Sequence, residues 1–245
     1  MKYFLFILVI FSFTFSSAFA ENIIPITKSP GVESIVFDGK WTNELEWKPT
    51  GLYTLTTETD QIFLRTAHYG DFVYAMIDVV PDITPDQNDF AVICFDTKND
   101  RSEKPDSNDF CFYSFIDEKI GQTFHGNDSD FTKIENHQDF ISIGAESDHN
   151  DRYSSISHAS YEFKIPTDQI GRSNIYGFHF LIHDGQTIYS WPSDSKITSP
   201  PTWGVLISPD KSLPEFNFAI VILVLSIVAV IVLTKNYSND FSLTI

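Results

Sequence analysis

The sequence predicts an all-β domain, a two-sheet antiparallel β-sandwich, set between two apolar ends. Three observations predict it. From about residue 21 to residue 210, apolar and polar residues alternate in short runs, and Gly, Pro, Asn and Asp fill the gaps. Aromatic residues make up 15% of the chain, with 23 Phe and 10 Tyr, and such rings favour pleated, half-buried strands. The middle region holds no convincing helical period, and only Thr42–Trp47 reads as a short helix.

The elements follow in chain order. Residues 1–20 carry Lys2, an apolar run from Tyr3 to Phe15, and small residues ending in Ala18 and Ala20. This is the order of a secretory signal peptide, and it predicts that residues 21–210 lie outside the cell. Candidate strands are Ser34–Asp38, Leu52–Thr57, Gln61–His68, Phe72–Val80, Asp89–Asp96 and Asp109–Ile116. They continue with Phe131–Ile134, Phe140–Ala145, Ile156–Ile165, Tyr176–His183, Thr187–Trp191 and Trp203–Ile207. Tyr69-Gly70-Asp71 and Asp184-Gly185-Gln186 stand where tight hairpin turns belong. Strands this short and this regularly spaced indicate a sandwich ahead of a barrel.

After the domain, residues 211–217 form a linker, and residues 218–234 read FAIVILVLSIVAVIVLT without a charge. With Phe216 and Asn217 this run approaches the roughly 20 residues that span a bilayer. It predicts one transmembrane helix with a short cytoplasmic tail at 235–245, so the ectodomain is held at the cell surface. Orientation rests on the signal peptide, because Lys211 and Lys235 balance across the span.

The formal net charge is −17. A surface so acidic repels phosphate backbones and anionic lipid headgroups, which excludes nucleic acid as a partner. Cys94 and Cys111 fall in adjacent candidate strands joined by a polar loop, and outside the cell such a pair can oxidise to a disulfide. The chain has no G-x-S-x-G, H-E-x-x-H, C-x-x-C or phosphate-loop pattern, so the sequence predicts no enzyme.

Two resemblances add to this reading. Leu213-Pro214-Glu215-Phe216 before the apolar run resembles the archaeal PEF-type C-terminal sorting signal, which implies processing by an archaeosortase and an archaeal source. Within the domain, the opening Phe37-Asp38-Gly39-Lys40-Trp41 is followed by Tyr74-Ala75-Met76-Ile77-Asp78 and Phe95-Asp96-Thr97-Lys98-Asn99-Asp100. Together with Tyr161-Glu162-Phe163-Lys164-Ile165-Pro166 and Trp203-Gly204, these motifs resemble the family 9 carbohydrate-binding modules and the related DOMON-like domains. The resemblance runs over nearly the whole ectodomain. It implies a jelly-roll-like sandwich and a non-catalytic binder of carbohydrate or surface glycan. Such sandwiches also serve as structural or protein-interaction modules of the envelope, and as haem domains for electron transfer.

Each reading has candidate residues. Sugar rings stack on flat aromatics with polar groups at the edge, which points to Trp191, Tyr189 and Tyr69. Trp41, Trp47 and Trp203 belong to the resembled scaffold and are assigned to the core. Calcium needs many oxygens, and Asp96, Asn99, Asp100, Asp106 and Asp109 crowd one loop; some relatives carry structural calcium. A haem held as in some DOMON-type domains would use Met76 and His179. Asn127-Asp128-Ser129 is a glycosylation sequon.

Overall fold

The computed structural model describes residues 22–209 except 59, 119 and 186. The expected signal peptide, PEF motif, span and tail lie outside the described residues. Among the described residues no helix is long and apolar enough to cross a membrane.

The strands are β1 (Ile23–Pro25), β2 (Thr27–Lys28), β3 (Gly51–Thr56), β4 (Gln61–Tyr69), β5 (Phe72–Val79), β6 (Phe90–Asp96) and β7 (Asp109–Phe115). They continue with β8 (Gln122–Gly126), β9 (Phe131–Ile134), β10 (Ile141–Glu146), β11 (Ala159–Pro166), β12 (Ile175–Asp184), β13 (Thr187–Trp191) and β14 (Gly204–Ile207). One helical turn, α1 (Thr167–Ile170), joins β11 to the β12 approach. The larger sheet runs β1-β14-β12-β6-β7-β8-β9, with β13 also on β12. The smaller runs β10-β11-β5-β4-β2, with β3 also on β4. The architecture is therefore the expected two-sheet sandwich, antiparallel except where β1 meets β14 and β2 meets β4.

Alternation decides which side chains meet between the sheets. Ile62, Leu64, Ala75, Ile77, Phe163 and Ile165 of the smaller sheet face Ile93, Phe95, Phe112, Phe178, Phe180 and Ile182 of the larger. All are fully buried, and each full burial of such a side chain contributes about 1.5–3 kcal/mol. Tight turns set the register: β4 and β5 are joined through Gly70 at φ 57°, and β12 and β13 through Gly185 at φ 54°.

The outer face of the smaller sheet is covered by the N-terminal segment 30–50. Trp41, Trp47, Val32 and Ile35 pack there on Ala67, Tyr74 and Met76. Two buried carboxylates hold the cover in place. Glu162 on β11 accepts the backbone N–H groups of Asp38 and Gly39 (2.9 and 2.8 Å) and the Trp47 indole N–H (2.8 Å). Gly39 sits at φ 80°, and a Cβ there would lie 2.7 Å from the Ala145 side chain, so only glycine lets the chain pass this close.

Glu46 does the same from within the segment, accepting Val36 N–H at 2.7 Å and Thr42 N–H at 2.8 Å. These bonds overturn two expectations. Ser34–Asp38 is not a strand but the end of a 3₁₀ turn (Pro30–Ser34) and an irregular run, because side-chain carboxylates satisfy its backbone. Thr42–Trp47 is not a helix, because the chain folds around the Glu46 carboxylate instead. The short β8 was not expected, since QTFHG carries one large apolar residue.

Cys94 and Cys111 are directly opposite on β6 and β7 and form the expected disulfide. It closes a loop with a sequence separation of 17 residues. A cross-link of that length contributes about 3 kcal/mol by restricting the unfolded chain.

Candidate functional site

Among the described residues, the outer face of the larger sheet is covered only in part. The segment 192–203 folds over one end of it. There Trp203 lies over the Cys94–Cys111 bridge, stacks on Phe131 (6.4 Å, 5°) and His179 (5.8 Å, 16°), and donates its indole N–H to the Lys196 carbonyl at 2.9 Å.

Beyond that cover, half-buried rings run across four strands. His183 on β12 lies parallel to Phe90 on β6 (5.1 Å, 3°). Phe90 meets Tyr113 and Phe115 on β7, both at 5.7 Å, and Tyr113 meets Phe124 on β8 at 4.9 Å. Directly paired residues project to the same face, which places Gln122 beside Tyr113, Lys133 beside Phe124, and Ser190 beside Leu181. The Tyr113 hydroxyl is pushed above its usual pKa by burial and then by the charge of Asp130, so Asp130 stands near the row as well. The face is a row of rings edged by amide, ammonium, hydroxyl and carboxylate groups. Such an arrangement can stack an amphipathic ring and bond its polar rim.

The sequence-predicted sugar residues do not meet. Trp191 is 2% exposed and belongs to the inter-sheet core, with Phe180 parallel to it at 6.1 Å and Tyr53 edge-on at 5.5 Å. A Cβ on Gly204 would lie 2.4 Å from the indole, so the ring is sealed against the β14 backbone. No face of Trp191 is open to a sugar, which corrects that assignment. Tyr189 is half-buried at a cleft of about 270 Å³ with Leu55, Ser190, Ser193 and Asp194. Tyr69 lines a different cleft, of about 500 Å³, with Phe37, Phe72, Tyr74 and Lys164. The Lys164 ammonium lies over the Phe72 ring there, at 4.0 Å. Trp41, Trp47 and Trp203 are buried as expected.

The haem pair is also corrected. Met76 packs on the outer face of the smaller sheet, whereas His179 packs on the outer face of the larger one. The whole sandwich separates them. His179 is held neutral, its pKa lowered by burial to about 4, while Nδ1 bonds Ser195 Oγ at 2.8 Å.

In the 97–108 loop, the acidic side chains turn toward the loop's own amides. Asp96 accepts Arg101 N–H at 2.8 Å, Asp109 accepts Asp106 N–H at 2.8 Å, Asp106 accepts Asn108 N–H at 2.8 Å, and Asp100 accepts the Asn108 side-chain amide at 3.2 Å. Asn99 is half-buried at φ 51°, its Oδ1 without a hydrogen bond. No three carboxylates of this loop converge as a hard cation needs. Asp82, Asp89 and Asp184 do: each places an oxygen within 4.8 Å of the others. Asp82 Oδ2 has no hydrogen bond there, nor has the fully buried Tyr161 hydroxyl, whose surrounding charges are Asp82, Asp89, Asp184 and Asp86. These residues fit calcium better than the predicted loop. Asn127 is exposed in the β8–β9 turn, where its Oδ1 accepts Asp130 N–H at 3.0 Å.

No family model and no curated protein sequence matches the chain. Solved structures do. A family 9 carbohydrate-binding module from Caldicellulosiruptor kristjanssonii in complex with cellotriose superposes with a TM-score of 0.52 at 15% identity, covering 78% of this chain and 98% of that one. The fold is that of the family 9 carbohydrate-binding modules. A family 9 module from the same organism in complex with glucose gives 0.52 at 14% identity, over 80% and 99% of the two chains. At this identity the likeness to the family 9 modules speaks for the fold, which is what the motif order had implied.

The ring row escaped sequence reasoning because the search for sugar contacts fixed on Trp and on turn Tyr. The available signal was parity: Cys111, Tyr113 and Phe115 share one face of β7, so a bridge on the outer face fixes Tyr113 and Phe115 there too.

Buried carboxyls make the fold sensitive to pH, among them Asp78, raised to about 7, and Glu162, raised to about 8, both chiefly by burial. Asp82 and Asp109 are each raised to about 7, chiefly by burial and then by neighbouring acids. Each has one oxygen serving a backbone N–H and one buried without a hydrogen bond. The unfolded chain releases these protons near its ordinary carboxyl value, so between that value and about 7 the folded state binds more protons. Stability therefore falls as pH rises. In metal-free buffer the melting temperature is expected to drop from about pH 5 to about pH 8, and Asp109→Asn is expected to flatten the profile. A melting temperature that rises over this window contradicts the assignment.

Proposed function

We propose that this chain is a non-catalytic carbohydrate-binding module whose ligand face is the aromatic row Phe90–Tyr113–Phe115–Phe124 on the outer face of the larger sheet. The row carries the reading. A pyranose has an apolar face that stacks on rings and hydroxyls that bond at their edge, and this surface supplies both. The shared fold supports it, since its solved neighbours hold cellotriose and glucose. The ligand class is a neutral glycan: a surface at −17 disfavours polyanions.

The signal segment and the apolar run at 218–234 support an exported module attached to the cell surface, either by a retained helix or by lipid after archaeosortase processing. Attachment raises local density, which turns weak single-site affinity into retention. A structural envelope module remains the competing reading, favoured by the absence of an open Trp at the ring row. Calcium would be held by Asp82, Asp89 and Asp184 and would relieve their mutual repulsion, fixing the β5–β6 loop against the β12–β13 turn.

Calorimetric titration of the purified chain with β-glucan oligosaccharides tests the function. Tyr113→Ala and Phe124→Ala are expected to weaken binding at least about tenfold, or about 1.4 kcal/mol, while Tyr69→Ala leaves it unchanged. No binding to any glycan, or loss confined to Tyr69→Ala, contradicts the reading. For calcium, added Ca²⁺ is expected to raise the melting temperature of the wild type and not of Asp184→Asn. Equal shifts in both place calcium elsewhere.

A further inference from the structure

A second cluster lies on the opposite side of the sandwich and plays no part in the ring row. Asp78 projects from β5 beside Met76's strand face, where the loop 147–158 crosses the sheet. Asp151 in that loop and His158 at its end meet Asp78 under complete cover. The side chains of His158, Asp78 and Asp151 are 0%, 1% and 1% exposed. His158 Nε2 lies 2.6 Å from Asp78 Oδ1 and 3.8 Å from Asp151 Oδ1. One nitrogen and two carboxylate oxygens thus converge within 4.8 Å.

Three further features point to an ion at the centre. Asp78 Oδ2 and Asp151 Oδ2 are buried and make no hydrogen bond, although leaving a buried carboxylate oxygen unpartnered is costly. The imidazole's other nitrogen, Nδ1, lies 2.7 Å from the Ile156 carbonyl, with Ser147 Oγ at 2.9 Å. With Nδ1 held by the backbone carbonyl, Nε2 is the nitrogen turned to the carboxylates: it donates to Asp78 in the ion-free protein, and on losing that proton it offers its lone pair to a metal, as metal-bound histidines held through Nδ1 do. Asp151 is oriented before any ion arrives, since its Oδ1 accepts Tyr153 N–H at 2.7 Å. Charge agrees. Once the ion displaces the Nε2 proton, two carboxylates and a neutral imidazole balance one divalent cation, while Arg65 on β4 directs its Nε to the Tyr153 hydroxyl at 2.7 Å.

We propose that Asp78, Asp151 and His158 form a divalent transition-metal site that clamps the 147–158 loop onto β5. The mixed nitrogen and carboxylate set suits Zn²⁺, with room in its coordination for a further ligand, and disfavours Ca²⁺, which takes oxygen alone. The ion would take the place of the short His158–Asp78 hydrogen bond and occupy the two unpartnered oxygens.

The test uses the tag-free full-length chain in detergent, stripped with a chelator and titrated with Zn²⁺ and, for its visible bands, Co²⁺. The expected result is one equivalent bound, a raised melting temperature, and tetrahedral Co²⁺ absorption that excess Ca²⁺ does not remove. Asp151→Asn, which keeps the side-chain shape at a loop position, is expected to weaken Zn²⁺ binding at least about tenfold. Asp184→Asn, in the other acidic cluster, is expected to leave it intact. Absence of stoichiometric binding to the folded wild type overturns the proposal, whatever the variants do. So does binding that Asp151→Asn and His158→Gln leave unchanged. Glycan titration is independent of either outcome.

Discussion

Two packed sheets have four faces, and only two of them meet in the core. The other two must be covered, or must remain at the surface with whatever the alternation places on them. Glu162 decides the matter for the smaller sheet. Its carboxylate, buried on the outer face of β11, draws in two backbone N–H groups and the Trp47 indole, and so lays the segment 30–50 across the sheet. Removal of that acceptor leaves buried donors without partners and the two Trp side chains without a fixed seat. On the larger sheet the corresponding cover among the described residues is the segment around Trp203, closed on itself by the indole bond to Lys196 and tied to β12 by Ser195 Oγ at His179 Nδ1. The rings beyond it stay half-open. The asymmetry between a sealed face and a part-open one is what leaves one side of this molecule open as the proposed binding surface.

The fold was legible because its signals were local. Period-two runs located β4 to β7 and β11 to β13, Gly70 and Gly185 marked the hairpins, and the Cys pair stood in facing strands. The errors share a cause as well. Ser34–Asp38 and Thr42–Trp47 take their shapes from the carboxylates of Glu162 and Glu46, one of them more than a hundred residues away, and no local pattern announces such a partner. Trp191 was misplaced for the same reason. A flat ring at the end of a candidate strand suits a sugar, but Gly204 on β14 opens the space that buries it.

Acidity also takes on meaning only in three dimensions. In so acidic a chain the crowded loop 96–109 looked like a cation site, yet its carboxylates mostly cap the loop's own amides. The convergent sets, Asp82–Asp89–Asp184 and Asp78–Asp151–His158, are assembled from segments far apart in sequence. Each sits where a loop meets a sheet, so charge concentrated there acts on the loops rather than on the core.

The central claim is that ligand meets this molecule on the outer face of the larger sheet. Backbone amide NMR of the isotopically labelled chain, recorded with and without a β-glucan oligosaccharide, tests that most directly. The account predicts shifts concentrated on β6, β7 and β8 around Phe90, Tyr113 and Phe124, with the segment 30–50 unmoved. Shifts confined to the cleft beside Tyr69 and Phe37 would contradict it, because they would put the ligand on the face that Glu162 seals.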